Sequence, residues 1–378
     1  RVQSSHRGDE LRSTTSRLPL SPPDRYPTDR EQRLPDWHAR GRTTAGSRVA
    51  SLFLDGAGQL CAAISPTEAG RLTLNRFDGQ RFSATHIGLP AGQSAWNWSW
   101  YQTVFQAQTG EWWMQTGQGV VRYPASARLE QLPQTKPLAI YTKRNGLADA
   151  EPFRIYEDTR GDVWIGTFSQ SDGTLTRWER RTGTLQRFTA ADGIPARELP
   201  TAFGEDASGQ LWIGIYSGGV LRYRNGHFER FSAAEGVPGG ILRAIYLDGA
   251  RRLWLATGEG GAVRVDDPQA NTPHFIRYGH QEGLASDQAT CFTEDQWGRL
   301  YIGTGRGVDQ LDVASGQIKH FTTADGLPNS FVNVALRDRA GVLWFGTLQG
   351  LARLNPQPPQ PRTPPPILLS EFNVAGKP

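Results

Sequence analysis

The sequence predicts an all-β fold, a seven-bladed β-propeller of four-stranded blades. Three observations carry that prediction: the composition, a repeat that occurs seven times, and a second repeat in phase with the first. Among 378 residues there are 43 Gly, 25 Pro and 12 Trp but a single Met, a balance that suits many short strands, tight turns and aromatic packing. A chain this long could hold two or three ordinary domains, yet propellers of this size form one unit.

The first repeat is a Gly, a short gap and an apolar pair that opens a strand. It reads Gly161-Asp162-Val163-Trp164-Ile165-Gly166, Gly209-Gln210-Leu211-Trp212-Ile213-Gly214 and Gly341-Val342-Leu343-Trp344-Phe345-Gly346, with looser copies around Cys61, Trp113, Trp254 and Tyr301. These seven marker positions lie 52, 51, 48, 42, 47 and 43 residues apart, the length of one four-stranded blade. The second repeat is a turn: Gly88-Leu89-Pro90, Gly146-Leu147-Ala148, Gly193-Ile194-Pro195, Gly236-Val237-Pro238, Gly283-Leu284-Ala285 and Gly326-Leu327-Pro328.

Within a unit the turn leads to an apolar innermost strand that ends in an acidic turn, as in Ala202-Phe203-Gly204-Glu205-Asp206. Asp caps its own hairpin and the following Gly tolerates positive φ. The Trp strand comes next and is expected to pack between neighbouring blades, followed by a third strand such as Gly218 to Tyr223 and an outer strand such as Phe228-Glu229-Arg230-Phe231.

The seventh blade lacks an outer strand, because the chain after Trp344 runs into a proline-rich stretch that cannot pair. Five blades place an aromatic five residues before the turn Gly, and the 18-residue spacing puts the first blade's turn near Thr43. Trp37-His38-Ala39-Arg40 is therefore the expected missing strand, closing the ring from the N-terminus and sealing an unpaired edge.

Charge argues against a nucleic-acid partner. The net charge is +4, and residues 1–48 hold ten Arg against six acids, so the remainder is close to neutral. No apolar run approaches the ~20 residues that cross a bilayer. A chain that starts with Arg1 reads as part of, or a processed product of, a longer one. Cys61 and Cys291 stand alone and read as buried apolar residues. The seven His show no metal-binding spacing, no nucleophile elbow or phosphate loop appears, and neither a cofactor nor a metal is expected.

Asp-x-x-Gly-x-Leu-Trp-Ile-Gly-Thr, Gly-Gly-Val-x-Arg-Tyr and Phe-Thr-x-x-Asp-Gly-Leu-Pro together resemble the two-component regulator propeller repeat, over residues 36–355 and best at 158–167, 206–214, 321–328 and 338–347. The first two blades depart from it, with Cys61 in place of the aromatic and Gln106-Ala107-Gln108 in place of the acidic turn. The resemblance implies a periplasmic or extracytoplasmic sensor of a membrane-bound histidine kinase, or of a diguanylate cyclase, with the output module outside this chain. It also divides the chain: a basic extension at 1–35, expected to be poorly ordered; the propeller at 36–355; a Pro-rich linker at 356–366; and, at 367–378, the start of an Ig-like domain that could support a homodimer. Two other readings stay open, a protein-interaction scaffold and a propeller enzyme like the streptogramin lyases.

The expected ligand is a small molecule or saccharide at one mouth of the ring, where the loops carry Glu151, Arg154, Arg197, Glu198, Arg243, Gln288 and Asn333 and no His. From turn Gly to marker the distance is 18 or 19 residues, except for 25 after Gly88. That insertion holds Trp96, Asn97, Trp98, Trp100 and Tyr101. In an extended segment the three Trp share one side, either as a lid over the blade edge or as a platform on which a sugar ring stacks.

Overall fold

The computed structural model describes residues 37–38, 48–64, 71–93, 103–149, 151–168 and 174–359. Within them, 28 strands form seven four-stranded antiparallel sheets. Six sheets take their strands in chain order. The seventh joins Trp37–His38 to the last three strands, with Trp37 opposite Leu354 and His38 opposite Arg353, so the ring closes as the sequence implied.

The marker side chains do what the repeat requires. Buried apolar residues fall into seven clusters, each between two adjacent blades, and each holds one marker: Cys61, Trp113, Trp164, Trp212, Trp254, Tyr301 or Trp344. None of the seven is more than 1% exposed. The acidic turn and the marker are one device. Asp158 Oδ1 accepts from the N–H groups of Arg160 (3.0 Å) and Asp162 (2.9 Å), while its Oδ2 accepts from the Trp164 indole (3.0 Å). The same indole bond recurs at Asp206–Trp212, Asp248–Trp254 and Asp338–Trp344, and Asp295 takes the Tyr301 hydroxyl instead.

Six innermost strands carry a bulge near their start, at Ala50, Phe153, Thr201, Arg243, Thr290 and Asn333. A bulge leaves its extra residue unpaired and disrupts the ladder locally, and in four blades the preceding blade bonds the carbonyl of the residue before it. Thr201 Oγ1 donates to Leu242 O (2.6 Å), Thr290 Oγ1 to Val332 O (2.6 Å), Asn333 Nδ2 to Val49 O (3.3 Å) and Gln115 Nε2 to Pro152 O.

Crossings from one blade to the next follow a second accounting rule. Where Ala follows Gly-Leu, its N–H needs an acceptor, and the third strand of the blade it enters provides one: Ala148 N donates to Thr176 Oγ1 (2.9 Å) and Ala285 N to Asp309 Oδ2 (2.9 Å). Where proline stands there, at 90, 195, 238 and 328, no N–H exists, and the equivalent third-strand residue is apolar: Val121, Leu221, Val263 and Ala352. Asn75 holds that place in the first blade, opposite Ala62 and fully buried.

Candidate functional site: the crossing end of the ring

Strand direction separates two ends. Each innermost strand runs from the crossing side to a tight turn, which carries Asp in six blades and Ala107 in the second, so the crossings and the hairpins between second and third strands share one end, here the crossing end. The Asp turns share the other, the turn end.

Hairpins at the crossing end are fixed by the strand-end threonines. The hydroxyls of Thr304 and Thr347 donate across their hairpins to Gly307 O (3.0 Å) and Gly350 O (2.8 Å). In four blades the residue after the second strand, which ends in Ile215 in the fourth and in Thr in the others, donates its N–H to the crossing: Tyr216 to Leu199 O (3.0 Å), Gly258 to Ile241 O (2.9 Å), Gly305 to Gln288 O (3.2 Å) and Leu348 to Phe331 O (3.3 Å). Three blades place a large apolar side chain in this position and leave it in solvent. Phe168 is 39% exposed, Tyr216 55% and Leu348 39%. The sequence reading missed these residues, though an aromatic where other blades have Gly258 or Gly305 was visible in the repeat.

Of the residues expected on the rim, Arg197 and Glu198 sit in a crossing beside Tyr216. The Glu198 carboxylate accepts from Ser217, through the backbone N–H (3.3 Å) and the hydroxyl. Arg197 is exposed and holds a left-handed φ of 61°, where the next crossing uses Gly240 at 79°; such a conformation costs a non-glycine residue about 1 kcal/mol. Gln288 also lies in a crossing, its N–H on Ser286 Oγ (3.1 Å).

The other expected rim residues belong to innermost strands rather than loops, because those strands begin directly at the crossing. Glu151, half-buried, opens the third blade's strand opposite Phe168. Arg154 is only 4% exposed, Arg243 is a half-buried bulge residue, and Asn333 is committed to the bond that joins the seventh blade to the first. One His does lie at a crossing, contrary to the sequence reading: His280, whose Nδ1 lies 3.0 Å from Leu284 O. Trp96, Asn97, Trp98, Trp100 and Tyr101 lie outside the described residues, as do 1–35 and 360–378.

Among the described residues no three His, Cys, Asp or Glu are placed to hold a metal ion, and no helix is long and apolar enough to cross a membrane. Burial, and after it the charge of Asp55, pushes the Cys61 thiol up to about 12, which leaves it a packing residue at neutral pH.

Residues 146–169 and 326–349 match the two-component regulator propeller family, and both stretches run from a turn Gly through the innermost strand and Asp turn to the exposed hairpin position. The chain carries two-component regulator propeller repeats. Solved structures with a similar fold include the extracellular domain of the hybrid two-component system BT3049 from B. thetaiotaomicron, 22% identical with a TM-score of 0.68 over 90% of this chain and 45% of that one. PorZ, a surface component of the type-IX secretion system of Porphyromonas gingivalis, is 16% identical with a TM-score of 0.58 over 79% of this chain and 45% of its own. Virginiamycin B lyase from Staphylococcus aureus, solved as an inactive variant with quinupristin, is 13% identical with a TM-score of 0.62 over 85% of this chain and 99% of its own. At these identities the likeness is one of fold. The chain spans about half the length of the first two structures. No curated protein sequence matches it.

Proposed function

We propose that this propeller is the extracytoplasmic ligand-sensing part of a membrane-bound, two-component-type signalling protein, and that it binds a small molecule or saccharide at the crossing end. The observation that carries the reading is the set of solvent-facing Phe168, Tyr216 and Leu348, with the strained and exposed Arg197, on one end of the ring. Apolar surface and an arginine held in a costly conformation are what a binding surface retains and a merely stable fold discards. The family match supports the signalling context, and a kinase or cyclase output then belongs to a part of the protein beyond this chain. On this reading the propeller binds its ligand without turning it over.

The proposed contacts are Trp96, Trp98, Trp100 and Tyr101 as stacking surfaces and Asn97, Glu151, Arg197, Glu198, Arg243 and Gln288 as polar groups around them, while the buried Arg154 and Asn333 support the strands behind. A thermal-shift screen against saccharides and cell-wall fragments identifies a ligand, since one at 100 times its dissociation constant adds about 2.7 kcal/mol. Calorimetric titration of Trp98→Ala with that ligand is then expected to show at least a tenfold loss of affinity, about 1.4 kcal/mol, with the melting temperature unchanged. Unchanged affinity contradicts the stacking role. The spread of exposed apolar residues over the third, fourth and seventh blades also fits a protein partner, and a screen without any small-molecule shift favours that scaffold reading.

A further inference from the structure

The third strand of the seventh blade, Gly350–Leu354, runs toward the turn end, so the chain leaves the ring there. Residues 355–359 read Asn-Pro-Gln-Pro-Pro. Proline at three of these five positions favours the extended polyproline helix, which has no internal hydrogen bonds and offers its carbonyls to any donor alongside.

A donor is in place. Arg299, in the sixth blade's Asp turn, donates from Nη2 to Gln357 O at 2.5 Å. Its Nε donates to Asp295 Oδ2 at 2.6 Å, and its guanidinium carbon lies 5.0 Å from the centre of the Trp297 ring. Asp295 Oδ1 fixes the turn by accepting from Trp297 N (2.9 Å) and Arg299 N (3.1 Å), and Oδ2 accepts from the buried Tyr301 hydroxyl (3.1 Å). An unbroken series of hydrogen bonds therefore joins Gln357 to the interior of the sixth blade.

The seven turns differ at the Trp297 position, which holds Ala57, Thr109, Arg160, Ser208, Ala250, Trp297 and Ala340. Only the sixth places an aromatic there, and that ring is half-exposed rather than packed into a blade interface. The fifth blade provides an internal comparison. Arg252 makes the same ion pair with Asp248 (2.7 Å), yet its turn has no aromatic and meets no linker. The ion pair is thus a property of the turn, whereas Trp297 and the second arm of Arg299 are additions on the blade whose turn bonds the departing chain at Gln357.

An aromatic face next to a donor that reads a carbonyl between prolines is the chemistry by which polyproline segments are recognised. We propose that the sixth-blade turn is a polyproline-binding site, formed by Trp297 and Arg299 and occupied by the chain's own residues 355–359. The site fixes the direction in which the chain leaves the propeller and makes the sixth blade the attachment point for whatever follows. The proposal does not depend on the ligand reading above.

The test uses the full chain with Gln357→Cys, an exposed position whose carbonyl the substitution keeps, labelled with bimane, a fluorophore that tryptophan quenches at close range. Cys61 and Cys291 are fully buried and do not compete for the label. Bimane is expected to be at least twofold brighter in Trp297→Phe than in the parent. Arg299→Lys, which keeps a charge for Asp295 but loses the two-armed fork, is expected to brighten it comparably, while Arg252→Lys leaves it unchanged. Pro356→Gly with Pro358→Gly loosens the linker without touching the ring and is expected to brighten it too. Equal brightness in parent and Trp297→Phe overturns the proposal, as does quenching that survives both Arg299→Lys and the glycine pair.

Discussion

Five aspartates of the Asp turns each serve two neighbours with two oxygens: one oxygen closes the hairpin, and the other holds the marker side chain of the next strand. The Asp and Gly of the turn were legible in the sequence because their conformational roles are local. The indole bond was not, since it joins residues brought together only by the hairpin. Where a glutamate precedes the turn Asp, at Glu157, Glu205 and Glu294, it reaches backward to the preceding blade. Glu205 accepts from Thr159 N (2.8 Å), Thr159 Oγ1 (2.9 Å) and Tyr156 OH (3.3 Å), and Glu294 from Gly249 N (2.7 Å). Burial pushes the Glu205 carboxyl above its ordinary range despite these donors. A folded pKa above the unfolded one means that the native state takes up the proton first as pH falls. The stability linked to this group is fully present below the unfolded value and is lost as pH rises through the folded one. Between about pH 7 and about pH 5 the melting temperature of the parent is therefore expected to gain on that of Glu205→Gln. A constant difference across the range contradicts the assignment.

At the scale of the element, the crossings show how one backbone N–H selects a side chain on another strand. Gly-Leu-Ala against Gly-Leu-Pro was plain in the sequence, but the partner residue, some 24 to 28 positions later, was not. Its place depends on the pairing of second and third strands, Ile165 with Thr176 and Ile302 with Asp309. The bulges were illegible for a similar reason: an extra residue in a strand leaves the apolar pattern nearly intact, and the strand's true start turned Glu151, Arg154, Arg243 and Asn333 from expected loop residues into strand residues. Thr176→Val, nearly isosteric, strands the Ala148 N–H in a buried place and is expected to cost about 1–3 kcal/mol. Adding Ala148→Pro removes the donor and recreates the arrangement of Pro195 with Leu221. In urea unfolding the pair is expected to show a favourable coupling of at least about 1 kcal/mol; additive losses contradict the rule.

For the whole molecule, seven repeats of two in-phase markers were enough to read the ring, its blade number and its closure through Trp37, because each marker fills the same interface in every blade. The functional end was less legible. The Trp-rich insertion after Gly88 stands out by spacing alone, whereas Phe168, Tyr216 and Leu348 are ordinary residues until the hairpins bring them to one end. Closure has a further consequence. The strand at Trp37–His38 runs antiparallel to Gly350–Leu354, so among the described residues the chain enters and leaves the ring at the turn end. The proposed sensor would then take its ligand at the crossing end, opposite the end where the described chain enters and leaves the ring. Hydrogen exchange of the full chain, with and without the saccharide or cell-wall fragment that raises its melting temperature most, tests this directly. The expected result is slowed exchange at the crossing end, around residues 193–200 and 215–219 and across the insertion at 94–102, while the Asp turns are unaffected. Slowing confined to the Asp turns, with the crossings unchanged, would contradict it.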